Sequence, residues 1–168
     1  LNNGNYSAAN GTGSLVIAQK PLSVVVDDQT KVYGTANPEL TGTFNGAVAG
    51  DGITVTYSTT AVTNSDVVTG GYPITATLND PNEKLANYDV TNTPAVLTIT
   101  QAPATISVTD LAKTYNGAAQ GATVTTTPAG LSVDVTYAGS ATVPTAAGTY
   151  AVVAALNNGN YSAANGTG

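Results

Sequence analysis

Within Tyr72-Pro-Ile-Thr-Ala-Thr-Leu78, the apolar residues Ile74, Ala76 and Leu78 alternate with Thr75 and Thr77. Period two over such a run places one apolar face against a core and one hydroxyl face in water, which describes a β-strand. The same signature recurs on both sides. Before it come Ser14-Leu-Val-Ile-Ala18, Leu22-Ser-Val-Val-Val26 and Ile53-Thr-Val-Thr-Tyr57. After it come Ala95-Val-Leu-Thr-Ile-Thr100, Thr105-Ile-Ser-Val-Thr109, Leu131-Ser-Val-Asp-Val-Thr-Tyr137 and Gly148-Thr-Tyr-Ala-Val-Val-Ala154. These stretches are rich in β-branched residues, and turn residues separate them. No stretch keeps a helical period across a window of about 11 residues. Residues 38–48 leave room for one short helical turn. The chain is expected to be all-β.

A second pattern sets its organisation. Leu1-Asn-Asn-Gly-Asn-Tyr-Ser-Ala-Ala-Asn-Gly-Thr-Gly13 recurs letter for letter as residues 156–168, an offset of 155 residues (156 − 1). Fixed-period identity marks a tandem array. Inside that period the halves also answer each other. Lys31-Val-Tyr-Gly34 matches Lys113-Thr-Tyr-Asn-Gly117, Ile53–Tyr57 matches Val133–Tyr137, and Asn87-Tyr88 matches Asn160-Tyr161. The period therefore reads as two diverged modules of roughly 75–80 residues, within the usual domain range. The expected division is 1–20 as the end of a preceding module, 21–100 as a complete module, and 101–168 as a second module lacking its closing strand. Gln19-Lys-Pro21 and Gln101-Ala-Pro103 mark the joints. So short a link, stiffened by Pro21 or Pro103, predicts stacking into an elongated, semi-rigid rod.

Composition narrows the function. Charged residues are 8% of the chain, against about 25% in an average soluble domain. The net charge is −6 with only four Lys and Arg, so no basic cluster exists to neutralise phosphates, and neither a nucleic acid nor an anionic membrane is expected as a partner. The chain has no Cys and no His, which removes disulfides, thiolate metal sites and the commonest general base. No apolar run approaches the ~20 residues of a membrane span. The lack of an initiator methionine suggests a piece of a longer polypeptide, and the scarcity of basic residues suits exposure to extracellular proteases. Acids are scattered singly, so no nucleophile–base pair or paired carboxylate can be assembled from spacing, and no enzyme is expected.

The stretch Lys31-Val-Tyr-Gly-Thr-Ala-Asn-Pro38, with Val48-Ala-Gly-Asp51, resembles the MBG (YGX-type) repeats of large bacterial surface proteins. Lys113-Thr-Tyr-Asn-Gly117 with Ala146-Ala-Gly-Thr-Tyr150 resembles their sister YDG-type and bacterial Ig-like repeats. The resemblance implies a cell-surface or secreted adhesin whose stalk is built of such repeats, and it transfers no catalytic residue. Independently, some seven short strands per module with a Gly-Tyr before a late strand read as an Ig-like β-sandwich, with a β-grasp-like module as runner-up. Tyr72 and Tyr150 would then be corner tyrosines whose hydroxyls bond back to the backbone.

Several clusters invite functional readings. Asp80, Glu83 and Asp89 lie in the most charge-dense stretch, and Asp27, Asp28 and Asp110 lie near module joints. Either set offers oxygens to Ca²⁺, though neither has the spacing of a dedicated calcium loop. Without calcium, no cofactor is expected. Lys31 and Lys113 occupy matched positions; a cross-link to Asn is one reading, and a Lys stem packed on Tyr33 or Tyr115 with its ammonium in water is the other. Tyr57, Tyr88 and Tyr137 are the aromatic candidates for stacking on a glycan. Finally, Ser14, Leu15, Val16, Ile17 and Ala18 form a strand without its own module, which could add to the open edge of residues 103–168 in another chain. The main reading is a stalk repeat of a bacterial surface adhesin or fibre, whose partners are neighbouring repeats. The alternatives are a subunit of a strand-exchanging extracellular filament and a glycan- or matrix-binding module.

Overall fold

The structure is a computed structural model that describes Asn5 and residues 11–168. The first copy of the repeated stretch lies largely outside those residues. Within them the chain folds into two consecutive β-units.

The first unit contains β1 (Lys20–Val26), β2 (Gln29–Val32), β3 (Gly42–Asn45), β4 (Thr54–Thr59), β5 (Tyr72–Asn79), β6 (Tyr88–Thr93) and β7 (Ala95–Thr100). One sheet has the order β3-β1-β6 and the other β2-β7-β5-β4. The opening segment changes sheets at Asp27-Asp28. Before that crossover β1 pairs in parallel with β6, and after it β2 pairs in parallel with β7. The remaining pairs are antiparallel. Each sheet turns its apolar positions inward. Val24 and Val26 from β1 meet Ile74 from β5 and Ala95, Leu97 and Ile99 from β7 in one core, with Phe44, Val55 and Tyr57 packed against it. A sandwich results because both sheets alternate with period two and so bury one face each. Leu22, Ile53 and Tyr88 form a smaller cluster at one end.

The second unit contains β8 (Ala102–Pro103), β9 (Thr105–Thr109), β10 (Thr123–Thr127), β11 (Val133–Tyr137), β12 (Val152–Leu156), β13 (Tyr161–Ser162) and β14 (Gly166–Thr167). Its pairings repeat those of the first. β9 pairs with β10 as β1 pairs with β3, and β11 with β12 as β4 with β5. The parallel pair also returns: Ala102 faces Tyr161 and Pro103 faces Ser162, as Lys20 faces Tyr88 and Pro21 faces Asp89.

Three expectations change. Residues 14–18 carry a strand pattern but belong to no strand, since no edge among the described residues pairs with them; Leu15 is 88% exposed and Ile17 86%. The helical turn falls at Leu85–Asn87, as a 3₁₀ turn, and not within residues 38–48, where β3 forms. Pro21 and Pro103 sit inside strands rather than in free links. Proline is tolerated there because of the parallel ladder. The amides of Ala102 and Ala104 donate to the Asn160 and Ser162 carbonyls, so the residue between them has no ladder amide to supply.

Candidate functional site

The candidate site is the joint between the units. Gln101 is the single residue between β7 and β8. Its side-chain amide donates to the Gly159 carbonyl at 3.1 Å. Gln19 stands in the same relation to the first unit, donating to the Ala86 carbonyl at 3.0 Å. Across the joint, Asn160 clamps a loop of the first unit. Its Oδ1 accepts from the Val67 amide at 2.8 Å, and its Nδ2 donates to the Asp66 carboxylate at 2.7 Å. Tyr33 and Tyr161 meet edge to face, 5.3 Å between ring centroids. An edge-to-face pair and two hydrogen bonds around a one-residue link resist bending far more than the proline alone.

The corner tyrosines lie in matching settings. The Tyr72 hydroxyl donates to the Asp66 carbonyl at 3.1 Å and the Tyr150 hydroxyl to the Ala146 carbonyl at 3.2 Å. Tyr72 thus ties down the loop that Asn160 grips. Two glycines also match, with no signal beyond their type. A Cβ on Gly42 would stand 2.8 Å from the Tyr57 hydroxyl oxygen, and one on Gly121 2.7 Å from that of Tyr137.

Four of the six acidic candidates bind local partners. Asp80 accepts from the amides of Lys84 at 2.9 Å and Leu85 at 2.7 Å, capping the 3₁₀ turn. Asp27 accepts from the Thr41 hydroxyl at 2.7 Å, and Asp28 from the Val96 amide at 2.8 Å, so the crossover is stapled to β7. Asp110, with φ of 58°, pairs with Lys113. Glu83 has φ of 56° in the turn that Asp80 caps, and Asp89 lies on β6. Among the described residues no three His, Cys, Asp or Glu side chains gather where they could hold a metal ion.

Lys31 departs from the reading that leaves its ammonium in water. It is 6% exposed, and its ammonium donates to the carbonyls of Thr35 at 3.0 Å, Val62 at 2.7 Å and Thr63 at 3.2 Å. Three donors meet three acceptors, which satisfies a buried ammonium. The paired position in the second unit, Lys113, instead turns outward to Asp110. The aromatic candidates are corrected as well. Tyr88 is 4% exposed and Tyr137 8%, and Tyr57 packs on the core, so none offers a free ring to a sugar. The Tyr88 hydroxyl donates to Asp51 and accepts from the Val48 amide at 2.9 Å. The bond to Asp51, with burial, raises its pKa above the ordinary tyrosine value.

The two units differ in the sheet that holds their last strands. In the first, β7 lies between β5 and β2. In the second, residues 166–168 run beside β12, Gly168 exchanging both backbone bonds with Val152, and residues 111–115 form no strand. A groove of about 640 Å³ remains, lined by Leu111, Tyr115, Tyr137, Tyr150 and Val152. Leu111 is 51% exposed and Tyr115 67%.

Two tandem β-sandwich units with a tied joint define a repeat protein. The comparisons agree: residues 22–98 match the family described as MBG domain (YGX type), and residues 104–168 the one described as MBG domain. The chain belongs to the MBG-domain family and carries two such domains in tandem. MBG domains occur in large bacterial surface proteins. No curated protein and no solved structure matches the chain.

Proposed function

We propose that this chain is a spacer segment of a bacterial surface adhesin or fibre, holding a distal binding region away from the cell. The tied joint carries this reading. One residue separates the two domains, and the Asn160 clamp and the Tyr33–Tyr161 contact restrict rotation about it. A spacer needs stiffness over its length more than any site on its surface, and the short Gln-x-Pro step with its repeated glutamine bond supports that use. The burial of Tyr57, Tyr88 and Tyr137 weighs against the glycan-binding alternative.

The test is the orientational freedom of the two domains. Residual dipolar couplings should report one shared alignment tensor for both in the wild-type chain. Asn160→Ala should give each domain its own tensor while leaving both domains folded. Independent tumbling in the wild type would overturn the spacer reading.

A further inference from the structure

We infer that Asn158-Gly159 is a self-modification site, where the chain converts Asn158 to isoaspartate and thereby releases the joint between the two domains. The consequence for the joint rests on the tied geometry behind the spacer reading; the chemistry does not. The turn that carries the site joins β12 to β13. Its start is fixed, because the Asn157 amide donates to the Ser132 carbonyl at 2.9 Å. Its end is the joint itself. The Gly159 carbonyl accepts from Gln101, Asn160 grips Asp66 and Val67, and Tyr161 meets Tyr33.

An asparagine side-chain amide is open to attack by the backbone nitrogen of the next residue when that nitrogen is unshielded. Gly159 offers such a nitrogen. It is exposed, with open space where a Cβ would stand, and among the described residues its amide makes no hydrogen bond. The electrophile is polarised as well. The Asn160 amide donates to Asn158 Oδ1 at 2.9 Å, the atom on which negative charge develops as the nitrogen adds. Both reactants lie on one chain, so no partner has to be recruited. The Gly159 nitrogen gives its proton to hydroxide and bonds to Cγ. The Cγ–Nδ2 bond then breaks, and Nδ2 leaves as ammonia with a proton from water. Water opens the resulting succinimide at either carbonyl. Entry at the backbone carbonyl leaves Gly159 attached through Cγ, which is the isoaspartate, and entry at Cγ gives ordinary aspartate.

In the isoaspartate the main chain runs through Cβ and Cγ, which lengthens it by one bond of roughly 1.5 Å. With Asn157 held to Ser132, the added length falls on Gly159 and Asn160, the residues that bind Gln101, Asp66 and Val67. The core positions Val152 and Ala154 precede the turn and are untouched. The remaining Asn-Gly pairs among the described residues set the contrast. Asn45 is held opposite Ser23 in the β1–β3 ladder, and Gly46 is pressed on the Pro21 carbonyl. Gly166 is buried in the β12–β14 ladder. Asn116-Gly117 shares the open setting, with the Ala118 amide on Asn116 Oδ1 at 2.9 Å, but the bonds of its loop stay within the second domain. It reacts without consequence for the joint.

The 168-residue chain is incubated in warm, mildly alkaline buffer, which favours loss of the nitrogen's proton. Trypsin then releases residues 114–168 as one peptide, since Lys113 is the last basic residue. Fragmentation that distinguishes isoaspartate from aspartate should find isoaspartate in place of Asn158 and Asn116, with Asn45 and Asn165 intact. Gly159→Ala fits the open space and keeps the carbonyl that Gln101 binds, but its methyl group shields the nitrogen. It should slow conversion of Asn158 by about tenfold or more, while Asn116 converts at the wild-type rate. Residual dipolar couplings should change from one alignment tensor in fresh wild type to two in the converted chain, with both domains folded. Gly159→Ala, incubated alongside, should keep one. No conversion of Asn158 while Asn116 converts, an equal rate in Gly159→Ala, or a single tensor in fully converted chain would each overturn this inference and leave the spacer reading standing. Two tensors in the fresh chain would overturn both, because there would be no joint to release.

Discussion

Leu97→Ala tests whether the closing strand is what seals an MBG sandwich. Leu97 is fully buried at the middle of β7, between Gln29 of β2 and Tyr72 of β5. Truncating it removes three carbons from a core shared by both sheets, and neighbours held by two ladders have little freedom to collapse into the space. Changes of this kind cost about 2–5 kcal/mol. For a domain of this size 1 kcal/mol moves Tm by roughly 4–8 °C, so a cost of about 3 kcal/mol lowers Tm by roughly 12–24 °C. Differential scanning calorimetry on the 168-residue chain should show that drop in one transition, belonging to the first domain. The second domain's transition should stay in place, because Leu97 is not part of its core. Thr98→Ala, on the exposed face of the same strand, should stay within about 0.5 kcal/mol. A drop under about 4 °C for Leu97→Ala would refute the packing argument. An equal drop in both transitions would refute the independence of the two domains.

Three further outcomes follow from named contacts. Gly46 has φ of 104°, and an added Cβ would stand 2.3 Å from the Pro21 carbonyl oxygen. Gly46→Ala should therefore cost roughly 1–3 kcal/mol of backbone strain, read by urea denaturation, while Gly50→Ala, with open space around it, should be near neutral. Asp80→Ala removes both acceptors that cap the 3₁₀ turn and should cost about 0.5–2 kcal/mol in the same assay. Tyr88 supplies a pH signature. An unfolded tyrosine loses its proton near pH ~10, and the folded chain holds this one to higher pH. Its contribution is thus fully present below that value and is lost as pH rises through the folded pKa. Wild type should lose stability more steeply than Tyr88→Phe between pH ~10 and the folded pKa; parallel slopes would contradict the role of the Asp51 bond.

The parts of the fold legible in the sequence are the strands that alternate. Residues 72–78 and 95–100 read as strands, and β5 and β7 occupy them. Gly42-Thr-Phe-Asn45 was not legible because Phe44 is its only large apolar residue, so no period can be counted, yet β3 covers the core through that one ring. The parallel pairings of β1 with β6 and β2 with β7 were equally silent, since period two says which face is buried and nothing about direction. The sheet crossover at Asp27-Asp28 was not legible either. Adjacent carboxylates read as ligand oxygens, whereas each binds a partner across the crossover. The burial of Lys31 has no local signal, because the carbonyls of Val62 and Thr63 that hold its ammonium lie some thirty positions away in a loop of no distinctive pattern. Asn160 carried one usable clue, its match to Asn87 with a Tyr following each, but the loop it grips cannot be found from spacing.

The two domains share a joint at the backbone and differ at the side chains that tighten it. The glutamine bond and the parallel register are the same at Gln19 and at Gln101, so the path of the chain into each domain is the same. The clamping residues differ. Asn160 binds the loop of the domain before it, whereas its register counterpart Asn87 is exposed, and Tyr161 meets Tyr33 while its counterpart Tyr88 is turned inward to Asp51. Tyr115, in the place of Tyr33, is 67% exposed. If a preceding domain docks on the first through the same path, Asn87 is in place to grip it but Tyr88 is not in place to meet a ring. An array of this period would then alternate an aromatic joint with a polar one. Stiffness would vary along it with the two-domain period, and bending would concentrate at the joints that lack the tyrosine pair.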